Sequence, residues 1–505
     1  MRNQSFNFRL AASLLAALAV ATSLFAQETP DKHKRTRYKL YLVPPPGGGA
    51  DSFSIEGPPI LHVLNNQGTL GTIGNTAVPD PFFGFVIHET RSRKGFSTEL
   101  GALPPSNTNT AGAASVSDNG VFVGGSENGR IDPLTGFPEF EAVVWNDTGI
   151  VDLGNFGGNG SLALSVNNRG QIVGYALNPI PDPYGLFLMG CSTFGCFPTG
   201  QQMRATLWDR GTLRDLGTLG GNDAIAGIIN QSGQIAGTSY TNTIPNATTG
   251  YPSQDPFFYD HGKMVDVGNL GGTFAFANDM NESGQVVGLS TLAGDTASHP
   301  FFWERGKLTD IGTFGGTQGE AKSVNNAGQV IGKANLAGDQ AHHAFLWRKG
   351  ALSDLGTLGG TNSTAYGINS SGQVVGASLI TGGGTHAFLW EKGTGMVDLN
   401  DFIPPGSGLY LQAAFYINDR GQISGNAFLD DGHERAYLLT PCDDDHHPGD
   451  CKSDMFIADT PAGVGQPAAT RAVPTGDEHI SSFADLRRQL EQRHRLPGQT
   501  AKPSN

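Results

Sequence analysis

The chain of 505 residues has few of the features that usually reveal a catalytic site. It contains four cysteines, and Asp, Glu, Lys and Arg together make up 15% of it. It has no H-E-x-x-H zinc motif, no G-x-S-x-G nucleophile turn, and no Gly-Lys-Ser/Thr that would make its glycine-rich segments phosphate loops. Missing motifs do not exclude an enzyme, because scattered loops can assemble a site. They favour a binding or structural protein.

Only one segment is both long and apolar. Residues 10–25 carry no charge, follow Arg2 and Arg9, and precede Ala26, which is the layout of a secretory signal peptide. We expect residues 1–26 to be removed and the protein to be secreted, with the extracellular space, the cell surface or the periplasm as its location. An uncleaved anchor is the alternative, because Leu24 stands where a small residue is usual. No second stretch approaches the roughly 20 apolar residues that span a bilayer.

The net charge argues against polyanionic partners. Removal of residues 1–26 takes away Arg2 and Arg9 and changes the formal net charge from −14 to −16. An acidic protein of this kind is a poor ligand for nucleic acid or for an anionic membrane. The short basic stretch from Lys32 to Lys39 is expected to be solvated. We expect a monomer without a cofactor.

What the sequence has in abundance is glycine, with 72 residues, arranged in a repeat. A turn of the form N-x-x-G-x-h-h-G, where h is apolar, recurs with weaker copies near the N-terminus. Its first residues are Asn65, Ser117, Asn167, Asn230, Asn281, Asn325, Asn369 and Asn418. In most units a run resembling HAFLW and a phrase resembling DLGTLGG follow the turn in fixed order. A complete unit thus contains four short strand-like runs, called a, b, c and d below.

Four short strands recurring every 44 to 63 residues are typical of a propeller blade. The sequence therefore predicts an all-β fold, a β-propeller of about eight four-stranded blades over residues 37–441. Seven blades is the alternative if the poorly matching first unit folds otherwise. The last unit, Leu409 to Thr440, lacks strand d, and the N-terminal run Tyr38 to Val43 is strand-like. We expect this run to complete the last blade, because an open ring would expose two sheet edges.

These motifs resemble those of the extracellular HAF-repeat family, named for the His-Ala-Phe of strand c. The resemblance covers roughly residues 60–440, where HAF, DLGTLGG and the turn motif recur in order. It implies an exported repeat protein of unsettled biochemical role. It provides no catalytic residues.

Residues fixed to the repeat are first interpreted as structural. The five tryptophans all end strand c, at Trp145, Trp208, Trp303, Trp347 and Trp390. We expect them to pack between blades, with sugar stacking as the alternative. The repeated glycines of GTLGG are expected to form turns between blades.

The polar residue that opens strand c varies around the ring: Glu141, Arg204, Asp255, His299, His343, His386 and Arg435. Equivalent positions lie a blade apart, which is too far for ligands about 2.1 Å from one metal ion. We expect each to form a hydrogen bond within its own blade, and we assign no metal site. Asp295 and Asp339, four residues before a histidine, are expected to contact it locally.

The cysteines form two local pairs. In an exported protein we expect the disulfides Cys191–Cys196 and Cys442–Cys451, although four cysteines allow three connectivities. The second pair encloses an acidic loop with two histidines, for which a solvated loop is favoured over a metal site. Residues 442–505 are expected to form this loop and a mostly disordered tail.

The length of the b-to-c connections is the feature that points to function. From the turn motif to strand c the chain advances 17, 30 and 18 residues in units two, three and four, but 10 or 11 in units five to eight. These insertions share one face of a propeller and carry eight aromatic residues: Phe137, Phe140, Tyr184, Phe187, Phe194, Phe197, Tyr240 and Tyr251. We predict that this face binds a carbohydrate or another exported protein. The alternative for the aromatic residues is that they only pack the loops onto the ring. The alternatives are an enzyme that acts on polysaccharide through loop carboxylates, and a purely structural surface protein.

Overall fold

The computed structural model describes residues 37–54, 62–105, 108–134, 136, 138–182, 184, 200–247, 249–404, 406–442 and 456–457. These residues form β-strands joined by tight turns, with short 3-10 turns at Pro46–Gly48 and Leu399–Phe402. None of the described residues belongs to a helix long and apolar enough to cross a membrane. The predicted all-β fold is confirmed.

The strands form eight antiparallel sheets, one for each predicted blade, and single parallel bridges link the sheets of blades 4, 5 and 6. Blade 1 contains β2 (Ser52–Phe53), β3 (Thr69–Asp80), β4 (Gly84–Arg93) and β5 (Phe96–Glu99), and blade 2 contains β6 (Thr110–Val116), β7 (Phe122–Ile131), β8 (Pro138–Asn146) and β9 (Gly149–Asp152). Blade 3 contains β10 (Ser161–Val166), β11 (Ile172–Pro181), β12 (Gln201–Asp209) and β13 (Thr212–Asp215), and blade 4 contains β14 (Ala224–Ile229), β15 (Ile235–Tyr240), β16 (Gln254–Asp260) and β17 (Lys263–Asp266). Blades 5 to 7 contain β18 (Gly271–Met280), β19 (Val286–Leu292), β20 (Ser298–Glu304), β21 (Lys307–Asp310); β22 (Gly315–Val324), β23 (Gln329–Leu336), β24 (His342–Arg348), β25 (Ala351–Asp354); and β26 (Gly359–Ile368), β27 (Val374–Ile380), β28 (Thr385–Glu391), β29 (Gly395–Asp398).

Blade 8 is assembled from both ends of the propeller. It contains β30 (Leu409–Ile417), β31 (Ile423–Leu429), β32 (Glu434–Pro441) and, as its fourth strand, β1 (Tyr38–Leu42). β1 pairs antiparallel with β32, with Tyr38 opposite Pro441 and Leu42 opposite Tyr437. It therefore occupies the place that the sequence left for a missing strand d. A short strand β33 (Phe456–Ile457) adds in parallel to the outer side of β1.

The apolar runs of strand c fill the spaces between blades. Phe257, Phe301, Phe345 and Phe388 occupy one repeat position and are all fully buried. Phe388 packs against Ile331 and Ala344 of the preceding blade, whereas the neighbouring Leu389 packs towards the following blade. This alternation is the two-residue period of a strand that is covered on both faces.

The tryptophans contact the preceding blade. The ring of Trp303 lies 5.1 Å from that of Phe258, and the ring of Trp347 lies 5.0 Å from that of Phe302. The indole N–H of Trp208 donates to the carbonyl of Leu153 at 2.9 Å. The predicted role of these residues in packing between blades is confirmed.

The asparagine of the turn motif joins each blade to the next. Its side-chain Nδ2 donates to the backbone carbonyl of the equivalent residue one blade further on, at 2.9 to 3.3 Å. These bonds run from Asn65 to Ser117, Asn167 to Asn230, Asn230 to Asn281, Asn281 to Asn325, Asn325 to Asn369, Asn369 to Asn418 and Asn418 to Asn65. We call this belt of hydrogen bonds the asparagine ring. Ser117 has no amide to donate, so this bond is missing between blades 2 and 3, where Nδ2 of Asn119 donates to the carbonyl of Asn168 at 2.8 Å instead.

The glycine and glutamine of the motif belong to the same junctions. In the turn of blade 6, Gly328 has φ of +69°, and a Cβ at this position would lie 3.2 Å from the side chain of Gln285 in blade 5. At the closing junction, a Cβ on Gly68 of blade 1 would lie 2.7 Å from Gln422 of blade 8. The repeated N-x-x-G-Q pattern is therefore a contact between neighbouring units as well as a tight turn.

Candidate recognition face

Propeller topology sorts the connections between two faces. Because adjacent strands run antiparallel, the a-to-b and c-to-d turns share one face, here the turn face, and the b-to-c and d-to-a connections share the other, here the loop face. The asparagine ring lies on the turn face. The long insertions predicted to carry function lie on the loop face.

The long b-to-c hairpins belong to four consecutive blades. Long connections follow β11, which ends at Pro181, and β15, which ends at Tyr240, as the insertions in units three and four predict. In blade 2 the insertion lengthens the strands themselves, because β7 runs to Ile131 and β8 begins at Pro138. Blade 1 has an extended hairpin as well, since β3 runs to Asp80 and β4 begins at Gly84. The sequence did not reveal it because strand c of unit one, with Glu89 and Arg91, departs from the apolar HAFLW pattern.

An aspartate at the end of strand b shapes each of the first three hairpins. Its Oδ1 accepts the backbone N–H two residues later, at 2.7 to 2.8 Å. The acceptors are Asp80, Asp132 and Asp182, and the donors are Phe82, Leu134 and Tyr184. Each aspartate side chain also accepts from an asparagine Nδ2 of the next blade, namely Asn109, Asn159 and Asn222. The hairpins are thus tied to the neighbouring blade at their base.

The outer parts of these hairpins expose apolar side chains. Ten large apolar side chains are exposed in the described part of the chain, and seven lie on the hairpins of blades 1 to 4. They are Val78, Phe82, Phe85, Ile131, Leu134, Ile180 and Ile244, with 45 to 74% of their surface accessible. We call this set the apolar crescent. Grouped exposure of this kind is typical of an interaction surface, whereas single exposed apolar residues are ordinary.

The predicted aromatic residues occupy a deeper level. Tyr240 is fully buried, and its hydroxyl donates to the carbonyl of Tyr184 at 2.9 Å. The rings of Tyr184 and Tyr251 meet edge to face at 6.1 Å. Phe140 is half-buried and meets Phe83 of blade 1 at 6.4 Å. These four residues pack the hairpins onto the ring, which is the alternative considered for them.

The remaining predicted aromatics, Phe137, Phe187, Phe194 and Phe197, lie outside the described residues, so their role stays a prediction. The same holds for Cys191, Cys196 and Cys451, and hence for both disulfides. Cys442 is described, and its backbone N–H donates to the carbonyl of Arg37 at 2.9 Å, next to β1.

Blades 2 and 4 contain several buried carboxyl groups. Burial raises the pKa of Glu127 and Glu141, in spite of hydrogen bonds from Asn109 and from Asn155 and Ser161. Burial also raises the pKa of Asp255 to about 6 and that of Asp223 to about 8. No three metal-ligating side chains cluster within the described part of the chain. Burial thus favours the protonated form of each of these carboxyls.

Four of the polar residues that open strand c pair with an acidic residue of their own blade, whereas Glu141 accepts from the hydroxyl of Ser161 in blade 3 and Arg435 donates to the carbonyl of Ala50. Nδ1 of His386 lies 2.6 Å from the carboxylate of Asp398 at the end of strand d. Three equivalent pairs are His299 with Asp310, His343 with Asp354 and Arg204 with Asp215, at 2.8 to 2.9 Å. The predicted intrablade role is confirmed for these positions.

The prediction that Asp295 and Asp339 contact the histidines four residues later is wrong. Asp295 accepts from the N–H and the hydroxyl of Thr273, and Asp339 accepts from the same two groups of Thr317. Both aspartates have a positive φ, 54° and 57°, which turns their side chains back towards the start of strand a. The histidine partner lies eleven or twelve residues later, across the c-to-d hairpin.

No protein-family model matches the chain, and no curated protein matches it. Among solved structures it is similar to the β-propeller domain of the Trilobed protease from Pyrococcus furiosus, at 10% identity and a TM-score of 0.41, over 71% of this chain and 98% of that one. It is also similar to the acylaminoacyl peptidase of Pyrococcus horikoshii, at 10% identity and a TM-score of 0.40, over 70% and 52%. A third is dipeptidyl peptidase 4 of Porphyromonas gingivalis, at 11% identity and a TM-score of 0.36, over 77% and 59%.

The chain spans about half the length of the acylaminoacyl peptidases that it matches. At these TM-scores the likeness carries no argument about activity. The propeller assignment rests on the eight sheets themselves.

Proposed function

We propose that this protein is an exported recognition scaffold that binds another exported protein through the apolar crescent. The observation that carries the proposal is the grouping of seven exposed apolar side chains on the hairpins of four consecutive blades. Export is supported by the pattern of residues 1–26. That segment lies outside the described residues.

The composition of the crescent favours a protein over a carbohydrate as ligand. Sugar rings stack on exposed aromatic faces, whereas aliphatic side chains gain most from an apolar protein surface. Five of the seven crescent residues are aliphatic, and the described aromatics Tyr240 and Phe140 are buried or half-buried. Phe82 and Phe85 are the two exposed aromatics of the crescent.

The enzyme alternative has less support. A close pair of carboxyls is present in Asp182 and Asp223, but 2% and 0% of their surface is accessible. A polysaccharide substrate needs carboxyls that it can reach from solvent. We therefore retain the binding function as the proposal.

The test compares three forms of the chain from residue 27 onward on a glycan array and on a panel of purified exported proteins. The crescent variant carries Ile131→Ser, Leu134→Ser, Ile180→Ser and Ile244→Ser, all at exposed positions that should not affect folding. The control is Phe96→Ser, which removes an apolar side chain 82% exposed at the turn face. We expect at least tenfold weaker protein binding by the crescent variant and unchanged binding by the control. Protein binding that both variants retain, or binding to glycans alone, would contradict the proposal.

A further inference from the structure

The seam between blades 3 and 4 contains two aspartates that are nearly inaccessible to solvent. Asp182 follows β11 at the base of the blade 3 hairpin, and Asp223 directly precedes β14 in blade 4. The equivalent seam between blades 2 and 3 has Asp132 in the first place but Gly160 in the second. The second carboxyl is therefore an addition to the repeat at one seam.

Three of the four carboxylate oxygens of this pair accept hydrogen bonds. Asp182 accepts from the N–H of Tyr184 at 2.7 Å and from Nδ2 of Asn222 at 2.6 Å. Oδ1 of Asp223 accepts from the N–H of Met203 at 2.7 Å. Oδ2 of Asp223 is buried and has no donor among the described residues.

The group available to Oδ2 is the other carboxyl, since Asp182 lies within hydrogen-bonding reach of Asp223. Two carboxylates that lie within hydrogen-bonding reach of each other in a buried site repel each other if both are charged, whereas a single proton shared between them satisfies both. Burial and the neighbouring Asp182 raise the pKa of Asp223 to about 8.

The other groups that face the pair do not replace this proton. Arg204 on β12 lowers the pKa of Asp223 only slightly, because its guanidinium is already bound to Asp215 and to the carbonyl of Asn222. Tyr240 on β15 has a pKa raised by burial and by Asp223, with smaller contributions from Tyr251, Asp182 and Tyr184. Tyr240 therefore adds no positive charge to the seam.

We propose that Asp182 and Asp223 form a proton-dependent latch, which holds the base of the blade 3 hairpin against blade 4. Ile180 of the apolar crescent lies two residues before Asp182, so the latch also fixes one part of the crescent. Its effect on binding rests on the proposed function, whereas the latch itself does not.

The direction of the pH dependence follows from the raised pKa. A carboxyl whose pKa is about 8 in the closed seam and 3.8 when exposed binds a proton on closing. Its stabilising contribution is complete below pH 3.8 and is lost as the pH rises towards 8. Between these limits the equilibrium constant for opening the seam should rise about tenfold per pH unit.

The test measures hydrogen exchange of the chain from residue 27 onward at pH 5, 6, 7 and 8, corrected for the intrinsic exchange rate. The N–H group of Met203 on β12 reports on the seam, since it donates across it to Oδ1 of Asp223. The N–H group of Ala344 on β24 is the control, since it donates to Oγ of Ser363 across the seam between blades 6 and 7, where Asn362 stands at the place of Asp223. The decisive variant is Asp223→Asn, whose amide can donate to Asp182 at every pH.

We expect the protection of Met203 to fall by about tenfold per pH unit in the unchanged protein. It should be independent of pH in Asp223→Asn, and Ala344 should not respond in either form. Protection that is constant in the unchanged protein, or that falls equally at both seams, would overturn the latch. Recovery of protection at pH 8 with 5 mM calcium, in the unchanged protein alone, would also overturn it by identifying a cation site. If the latch behaves as expected but the crescent variant binds normally, only the proposed function fails.

Discussion

The asparagine ring yields the sharpest prediction about stability. Asn281, 5% exposed, makes four side-chain hydrogen bonds. Its Oδ1 accepts from the N–H groups of Ser283 and Gln285, and its Nδ2 donates to Oε1 of Gln285 and to the carbonyl of Asn325. At about 1 kcal/mol of net stabilisation per bond, Asn281→Ala should lower the free energy of unfolding by about 4 kcal/mol.

Chemical unfolding followed by tryptophan fluorescence measures this loss, since every tryptophan lies near a blade junction. A change in the denaturant concentration at the midpoint of unfolding, with an unchanged m-value, reports a change in stability alone. The matched control is Asn326→Ala. This exposed residue accepts one hydrogen bond, from the N–H of Glu282, and its loss should cost less than about 1 kcal/mol. If the two variants lose the same stability, the four hydrogen bonds of Asn281 do not contribute the stability expected of them.

Two further predictions concern the closure of the ring. Deletion of residues 37–43 removes Tyr38, Leu40 and Leu42, which are all buried between blades 7 and 8. At roughly 2 kcal/mol per side chain, the free energy of unfolding should fall by about 5 kcal/mol or more, and the protein should aggregate through the free edge of β32. An unchanged melting temperature would show that β1 is not the closing strand. Ser117→Asn supplies the amide that the asparagine ring lacks between blades 2 and 3 and should stabilise the protein by about 1 kcal/mol. Calorimetry on the single variant measures this gain, and a loss of stability would mean that the junction between blades 2 and 3 has no room for the amide.

The repeat revealed the architecture because each blade uses the same residues for the same contacts. Strand boundaries, the tryptophan positions and the completion of blade 8 by residues 38–42 all follow from the period and from the missing strand d. The partners of the motif residues could not be inferred in the same way. Asn281 binds a carbonyl 44 residues away, and a sequence repeat shows that a position matters without showing what it touches.

The errors at the site have a common physical origin. Asp295 was paired with His299 because the two are close in sequence, whereas a positive φ directs the aspartate elsewhere and the hairpin brings Asp310 to the histidine. Aromatic side chains are common in recognition surfaces, and the sequence therefore predicts them there, but Tyr240 is buried and Ile244 is exposed. Which residues of a long hairpin face solvent depends on how it folds back onto its neighbours.

Site-specific crosslinking tests the central claim most directly. A photoreactive amino acid is placed at Ile131 or Ile244 in the crescent, and at Phe96 on the turn face as the matched control. With the binding partner from the exported-protein panel, we predict a crosslinked complex from both crescent positions and none from Phe96. Crosslinks from Phe96 and none from the crescent would contradict recognition through the loop face.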